Sequence, residues 1–148
     1  MTKTRLDLID PDLCARLEIV DKAALRRAAM AACNFALNCS DLAHPFLDQA
    51  LQELSSNSSP LSNLGKVLEQ LVESLDEEYF DLRDAAENGK AEGVDWVVAF
   101  RKARAANSVY FAIGEDEYLA VAEAIYEANA ATEDLDNLRQ VVIEALEV

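Results

Sequence analysis

Apolar residues recur at three- and four-residue steps along most of this chain, and this spacing constrains its fold more than any other feature. The longest run steps by 4, 3, 4, 4, 3 and 4 through Leu64, Leu68, Leu71, Leu75, Tyr79, Leu82 and Ala86. Such spacing places these side chains on one face of an α-helix, as a seam that faces other helices. No segment shows the sustained apolar–polar alternation that is typical of a β-strand.

The same periodicity, together with the positions of helix-starting residues, predicts an all-α bundle of six or seven mostly antiparallel helices. The predicted helices cover residues 11–19, 21–39, 45–54, 62–88, 95–113, 116–130, and 132 or 134 to the end. The chain of 148 residues is long enough to bury one core, so we predict a single domain over 1–148. The serine-rich stretch near 55–63 predicts a flexible loop between helices.

Negative charge is abundant and unevenly distributed. The chain has 28 acidic and 13 basic residues, a net charge of −15, and residues 76–148 carry −12 of it (18 acidic, 6 basic). Binding to nucleic-acid phosphates or to anionic membranes needs clustered lysine and arginine, so both partners are excluded. A negative surface favours fast capture of a basic partner.

Location is predicted from what the sequence lacks. The first residues contain no apolar stretch of the kind found in signal peptides, and no run approaches the ~18 apolar residues that span a bilayer. Cys14, Cys33 and Cys39 are an odd number and form no Cys-x-x-Cys pair. This predicts reduced, mostly buried thiols in a cytoplasmic protein.

The sequence contains few residues of the kinds that catalyse reactions or bind metals or phosphates. His44 is the only histidine, and it precedes Pro45 at a predicted helix start, which predicts a surface helix-entry residue. The four glycines are isolated and match no phosphate-binding loop. We therefore predict no catalytic residue, no metal site and no cofactor.

The acidic side of the predicted fourth helix is the main candidate for function. Four of its carboxylates are spaced 4, 4 and 3 residues apart and so stack along one side of the helix: Glu73, Glu77, Asp81 and Asp84. This side is either a plain solvated face or a face that binds a basic partner. We predict that the partner-binding residues, with the acidic corner before the sixth helix, are Glu73, Glu77, Phe80, Asp81, Asp84, Glu115, Asp116 and Glu117.

Two aromatic residues interrupt the acidic run. Tyr79 lies on the apolar seam, which predicts a core position, whereas Phe80 lies off the seam. An exposed aromatic among acids would anchor a basic partner. Helices in bundles often bury wide stripes, however, so we favour burial of Phe80 against another helix.

The predicted fifth helix is apolar around most of its circumference, which predicts a central place in the bundle. Arg101 and Arg104 lie together on its polar side. They could pair with carboxylates of the fourth or sixth helix, bind an anionic ligand, or form an exposed edge. Internal pairing is favoured, because an unpaired buried arginine is costly.

These observations predict a non-enzymatic module that binds a basic protein surface, as an immunity- or antitoxin-like inhibitor or as an adaptor. In acidity and helicity, though in no motif, the chain resembles small helical immunity proteins that neutralise basic bacterial toxins. That resemblance implies a basic protein partner and assigns no residue.

Two alternatives stay open. The first is a helical protein that binds a metal or small ligand, or an enzyme, using Glu73, Glu77 and Asp81 with Arg101 or Arg104. The second is a homo-oligomeric structural protein, such as a homodimer, in which the leucine-rich seam continues across a symmetry axis.

Overall fold

The computed structural model of this protein describes residues 3–56, 62–89 and 96–147. Within these ranges the chain forms a short 3-10 helix, seven α-helices and no strand, which confirms the predicted all-α bundle. The 3-10 helix spans Arg5–Leu8, and the α-helices are α1 Pro11–Glu18, α2 Lys22–Ser40, α3 Pro45–Ser56, α4 Ser62–Glu87, α5 Trp96–Ala112, α6 Glu117–Thr132 and α7 Leu135–Leu146.

Aspartates fix the starts of four helices, as the sequence predicts. The side chains of Asp10, Asp21, Asp116 and Asp134 each accept a hydrogen bond from a backbone N–H three residues on, at 2.8–3.3 Å. These bonds satisfy donors that the first turn of a helix leaves without a partner. The boundary between α6 and α7 is therefore set by Asp134, the second of the two predicted starts.

The 3-10 helix near the N-terminus was not predicted from the periodicity. It is held by a capping box, in which the backbone N–H of Thr4 donates to Asp7 Oδ2 at 2.7 Å. This hydrogen bond lowers the pKa of the Asp7 carboxyl. The short helix buries Leu6 in the core and places Arg5 beside α6.

Part of the serine-rich range 55–63 is helical and not the predicted loop. Ser55 and Ser56 belong to the last turn of α3, and α4 begins at Ser62, so the helices extend into the range 55–63 from both sides. Residues 57–61 lie outside the described part of the chain, as does Asp95, the predicted start of α5.

One buried apolar cluster receives side chains from the 3-10 helix and from all seven described α-helices. Helix α5 packs against α2, α3, α4 and α6, which confirms its predicted central place. Alanines make close packing possible, because their small side chains let helix axes approach. Fully buried examples on α2, α5 and α6 are Ala28, Ala32, Ala36, Ala105, Ala106, Ala124 and Ala128.

The α4 seam faces this core. Leu64, Leu68 and Tyr79 are buried, and the remaining seam residues are half-buried. None of the helices in the described ranges combines the length and the apolar character that a membrane span requires.

Replacement of a seam leucine tests this packing. Leu68→Ala removes a side chain that is 0% exposed, and we expect the free energy of unfolding to fall by about 3 kcal/mol. Leu8→Ala makes the same chemical change at a residue that is 82% exposed, and its effect should stay within about 0.5 kcal/mol. Denaturant unfolding followed by circular dichroism measures both. Equal losses in the two variants would contradict the assignment of the seam to the core.

Candidate functional site

The carboxylates predicted to bind a partner lie on the solvent-facing side of α4. At about 100° per residue, Glu73, Glu77, Phe80 and Asp84 fall within an arc of about 60° around the helix axis, and Asp81 lies at its margin. All of these side chains are exposed. Here the surface formed by Glu73, Glu77, Phe80, Asp81 and Asp84 is called the acidic face.

No carboxylate of the acidic face forms a salt bridge with any basic residue in 3–56, 62–89 or 96–147. Two neighbours on the same helix do find cations: Asp76 pairs with Arg104, and Glu87 pairs with Arg83. Both lie at the border of the acidic face, outside the residues that define it. The negative charge of this face is therefore left uncompensated by the described part of the molecule, and its potential extends into solvent.

Phe80 is 55% exposed, so the favoured expectation that another helix buries it is wrong. The C-terminal half of α4 packs on α5, and Tyr79, which is 8% exposed, fills that contact. Phe80 lies one residue further on and is rotated by about 100° away from α5. Its ring therefore faces solvent among the carboxylates.

Phe80 joins a cluster of aromatic rings through its contact with Tyr79. The Tyr79 ring centroid lies 4.9 Å from that of Phe80, 5.1 Å from that of Phe100 and 5.9 Å from that of Trp96. These are the separations of favourable edge-on and tilted ring pairs. The Phe80 ring therefore packs on one side against Tyr79, and the rest of its surface is open to solvent.

Arg83 secures the edge of this cluster. Its Nη1 donates to the Tyr79 hydroxyl at 2.8 Å, and its guanidinium lies 5.4 Å from the Trp96 ring centroid. The hydrogen bond to Tyr79 raises the pKa of Arg83. The arginine thus joins α4 to the start of α5 and is committed to the aromatic rings and to Glu87.

A second charged arrangement is internal and centres on Glu127, which is 1% exposed. Its carboxylate accepts from Asn107 Nδ2 at 2.9 Å, from Arg5 Nη2 at 3.0 Å and from Arg104 Nη1 at 3.3 Å. Arg104 Nη2 also donates to Asp76 Oδ1 at 2.6 Å. The Glu127 network, completed by Glu123 on Arg5 at 2.6 Å, therefore joins α4, α5, α6 and the 3-10 helix.

This network confirms that Arg104 pairs internally with carboxylates of the fourth and sixth helices. Sequence reasoning did not single out Glu127 or Arg5. A signal was present, because α6 is apolar on almost every side, and a carboxylate between Ala124 and Ala128 in such a helix must find a cation. Arg5 was not identified as the partner of Glu127 because the 3-10 helix that carries it was not predicted.

Arg101 is paired more weakly. Its Nη2 lies 3.8 Å from Glu133 Oε2, just beyond the end of α6, and both side chains are more than 40% exposed. An exposed pair at this distance contributes little to stability. The internal pairing predicted for both arginines therefore holds in buried form for Arg104 and in surface form for Arg101.

The acidic corner before α6 lies apart from Phe80. Glu115 and Asp116 are exposed and Glu117 is half-buried, and Asp116 uses its carboxylate to cap α6. Phe80 adjoins the first turn of α5 through Tyr79, whereas the corner follows the last turn. Since α5 rises about 1.5 Å per residue, its full length of about 25 Å separates them.

The described ranges offer few groups for metal binding or for the alternative ligand site. There, no cluster of three or more His, Cys, Asp or Glu side chains is disposed to hold a metal ion. Arg104 contacts Asp76 of α4 and none of the alternative ligands Glu73, Glu77 and Asp81.

His44 and the cysteines occupy structural or isolated positions. His44 lies at the entry to α3, as predicted, and its Nδ1 accepts the backbone N–H of Phe46 at 3.2 Å. The three cysteines are free thiols, of which Cys14 and Cys33 are buried and Cys39 is exposed. Burial raises the pKa of Cys33 to about 12, which keeps it protonated near neutral pH.

The chain matches no family model, no curated protein and no solved structure. The geometry of its own residues is therefore what supports a function. Among the predicted residues, that geometry groups an exposed aromatic with carboxylates that no cation of the described ranges pairs with.

Neutralising the centre of the Glu127 network tests its structural role. Glu127→Gln removes the counter-charge that Arg5 and Arg104 share, while Arg5 keeps Glu123 and Arg104 keeps Asp76. We therefore expect unfolding to become easier by about 1.5 kcal/mol, the contribution of a hydrogen bond to a charged group. Glu73→Gln makes the same change on the acidic face, where no salt bridge is lost, and should alter stability by less than about 0.5 kcal/mol. Thermal and denaturant unfolding measure both variants. A Glu127→Gln protein as stable as the parent would contradict the network.

Proposed function

We propose that this chain is a non-enzymatic interaction module whose acidic face on α4 binds a basic surface of another protein. The observation that carries the proposal is the exposed ring of Phe80 within carboxylates that no described cation neutralises. An exposed aromatic among carboxylates has both elements of a recognition surface, an anchor and a steering field.

Phe80 and the carboxylates of the acidic face contribute to binding in different ways. Phe80 is 55% exposed, so covering the rest of its ring contributes about half of the 1.5–3 kcal/mol of a full burial, which makes it the source of short-range affinity. Carboxylates at the rim contribute little individually, but together they accelerate encounter with a cationic surface. Binding should therefore weaken as salt screens the field, and its association rate should change most.

Packing beneath the acidic face preorganises it for binding. Tyr79 packs against the Phe80 ring and is itself held by Phe100 and Trp96, which lowers the conformational freedom lost when a partner covers the ring. The packing of α4 on α5 holds the carboxylates on one side of the helix in the same way. A rigid acidic surface suits an inhibitor of the immunity or antitoxin kind as well as an adaptor.

We propose further that the protein is cytoplasmic and that it binds a basic protein and not nucleic acid. Free Cys14, Cys33 and Cys39 suit a reducing compartment. The metal-binding or enzymatic alternative has less support, since Arg104 is already committed to Asp76 and Glu127. The homo-oligomeric alternative has less support, because the chain's own helices bury Leu64, Leu68 and Tyr79 of the α4 seam and half-bury its other residues.

Charge neutralisation tests the proposal with a short fluorescein-labelled peptide of alternating arginine and glycine as the basic probe. We expect Glu73→Gln, Glu77→Gln and Asp84→Asn combined to weaken binding about tenfold, as measured by fluorescence anisotropy. Affinity for the parent protein should also fall between about 50 mM and about 200 mM NaCl, where screening increases.

A matched control separates the acidic face from net charge. Asp136→Asn, Glu144→Gln and Glu147→Gln remove the same charge from exposed positions on α7 and its C-terminal end. We expect this variant to bind the peptide within about twofold of the parent. Equal weakening in the two triple variants, or binding that does not respond to salt, would contradict the proposed function.

A further inference from the structure

A pocket opens at the end of the bundle opposite Phe80, where α2, α3, the end of α5 and the start of α6 meet. Its apolar wall is built by small residues that leave space between the helices, among them Ala29, Ala112 and Ala120. The cavity volume is about 30 Å³. On this measure one water needs about 10–15 Å³, so the pocket has room for about two water-sized groups in addition to its open mouth.

Three charged side chains line the same pocket: Arg26, Glu53 and Glu117. Arg26 forms no salt bridge within the described residues, and its Nη1 lies 3.5 Å from the backbone oxygen of Leu54. Glu117 has one distant cation, the highly exposed Lys22, at 3.9 Å. An exposed pair at that distance is weak, so the Glu117 carboxylate stays available to a ligand.

Glu53 gives the clearest sign of a missing donor. Its Oε2 is shielded from solvent and has no hydrogen-bond partner among the residues that the structure describes. A buried acceptor without a donor carries its full desolvation cost. The terminal torsion of a glutamate is broad and low in energy, so either oxygen can turn toward a donor in the pocket.

The helix ends around the pocket favour positive charge. The last turns of α3 and α5 contribute Leu54 and Ala112 to the wall, and the C-terminus of a helix carries partial negative charge. The N-terminus of α6 has the opposite sign, but Asp116 already caps it and Glu117 lies in its first turn. Two carboxylates and two helix C-termini thus outweigh the single guanidinium of Arg26.

We propose that this pocket binds a small organic cation, a primary ammonium ion on a short aliphatic chain. The ammonium group donates to Glu53 and Glu117, and the chain lies against the alanine wall. The small cavity encloses the ammonium group and the adjoining carbon, and the rest of a short chain lies in the open mouth. This site shares no residue with the acidic face, and α4 contributes none of its lining.

The test uses the full chain and three probes that share one hydrocarbon body: n-butylammonium, n-butanol and n-butyrate. Amide chemical shifts followed by NMR give the affinity and locate each probe. We expect n-butylammonium to perturb the pocket residues and to bind about tenfold more tightly than n-butanol, which corresponds to one charge-assisted hydrogen bond of about 1.4 kcal/mol. The carboxylate of n-butyrate should give no gain over the alcohol.

Variants assign that gain to the pocket carboxylates. Glu53→Gln should lower the affinity for n-butylammonium about tenfold and leave that for n-butanol unchanged. Glu117→Gln carries the same expectation and keeps the test decisive should Glu53→Gln fail to fold. Glu73→Gln on the acidic face removes the same charge far from the pocket and should change neither affinity.

Three results would overturn the proposal. The first is n-butylammonium binding no more tightly than n-butanol, or causing no shift in the pocket. The second is n-butyrate binding as tightly as n-butylammonium, which would assign the pocket to Arg26. The third is Glu73→Gln weakening n-butylammonium as much as Glu53→Gln, which would reduce the effect to net charge.

Discussion

The buried carboxylate of Glu127 controls how the limited positive charge of this chain is distributed. A carboxylate that is 1% exposed must be paired, and here it takes the guanidinium groups of Arg5 and Arg104. Arg139 is similarly committed to Asp10 and Asp12, which joins α7 to the start of α1. With 13 basic residues against 28 acidic ones, arginines used inside the bundle are not available to the surface of α4.

This distribution gives α4 two different sides. Toward the core, its leucines and Tyr79 pack on α5, and Asp76 at the border reaches Arg104. Toward solvent, the carboxylates of the acidic face form no salt bridge with any residue that the structure describes, and the ring of Phe80 lies among them. The core fixes the backbone of α4, and the backbone fixes the position of the charges. Stability and the proposed recognition therefore depend on the same helix through opposite faces.

Local signals in the sequence were sufficient to predict the fold, because periodic leucines and aspartate caps act within one or two helical turns. The same periodicity placed Tyr79 in the core. It did not decide Phe80, whose exposure depends on whether a further helix covers α4. It also did not reveal Glu127, since its partner Arg5 lies 122 residues away in a short 3-10 helix that has no periodic signature. The pocket at Glu53 was missed for the same reason, as it exists only where four separate segments meet.

The central claim is that the solvent-facing side of α4 is the surface that meets a basic partner. The most direct test is an NMR titration of the protein with the arginine–glycine peptide, observing backbone amides together with the ring protons of Phe80. The claim predicts that the largest shifts cluster in residues 73–84 and in that ring, and that they diminish with added salt. Shifts that are spread over the whole surface, or that concentrate on α7, would contradict it.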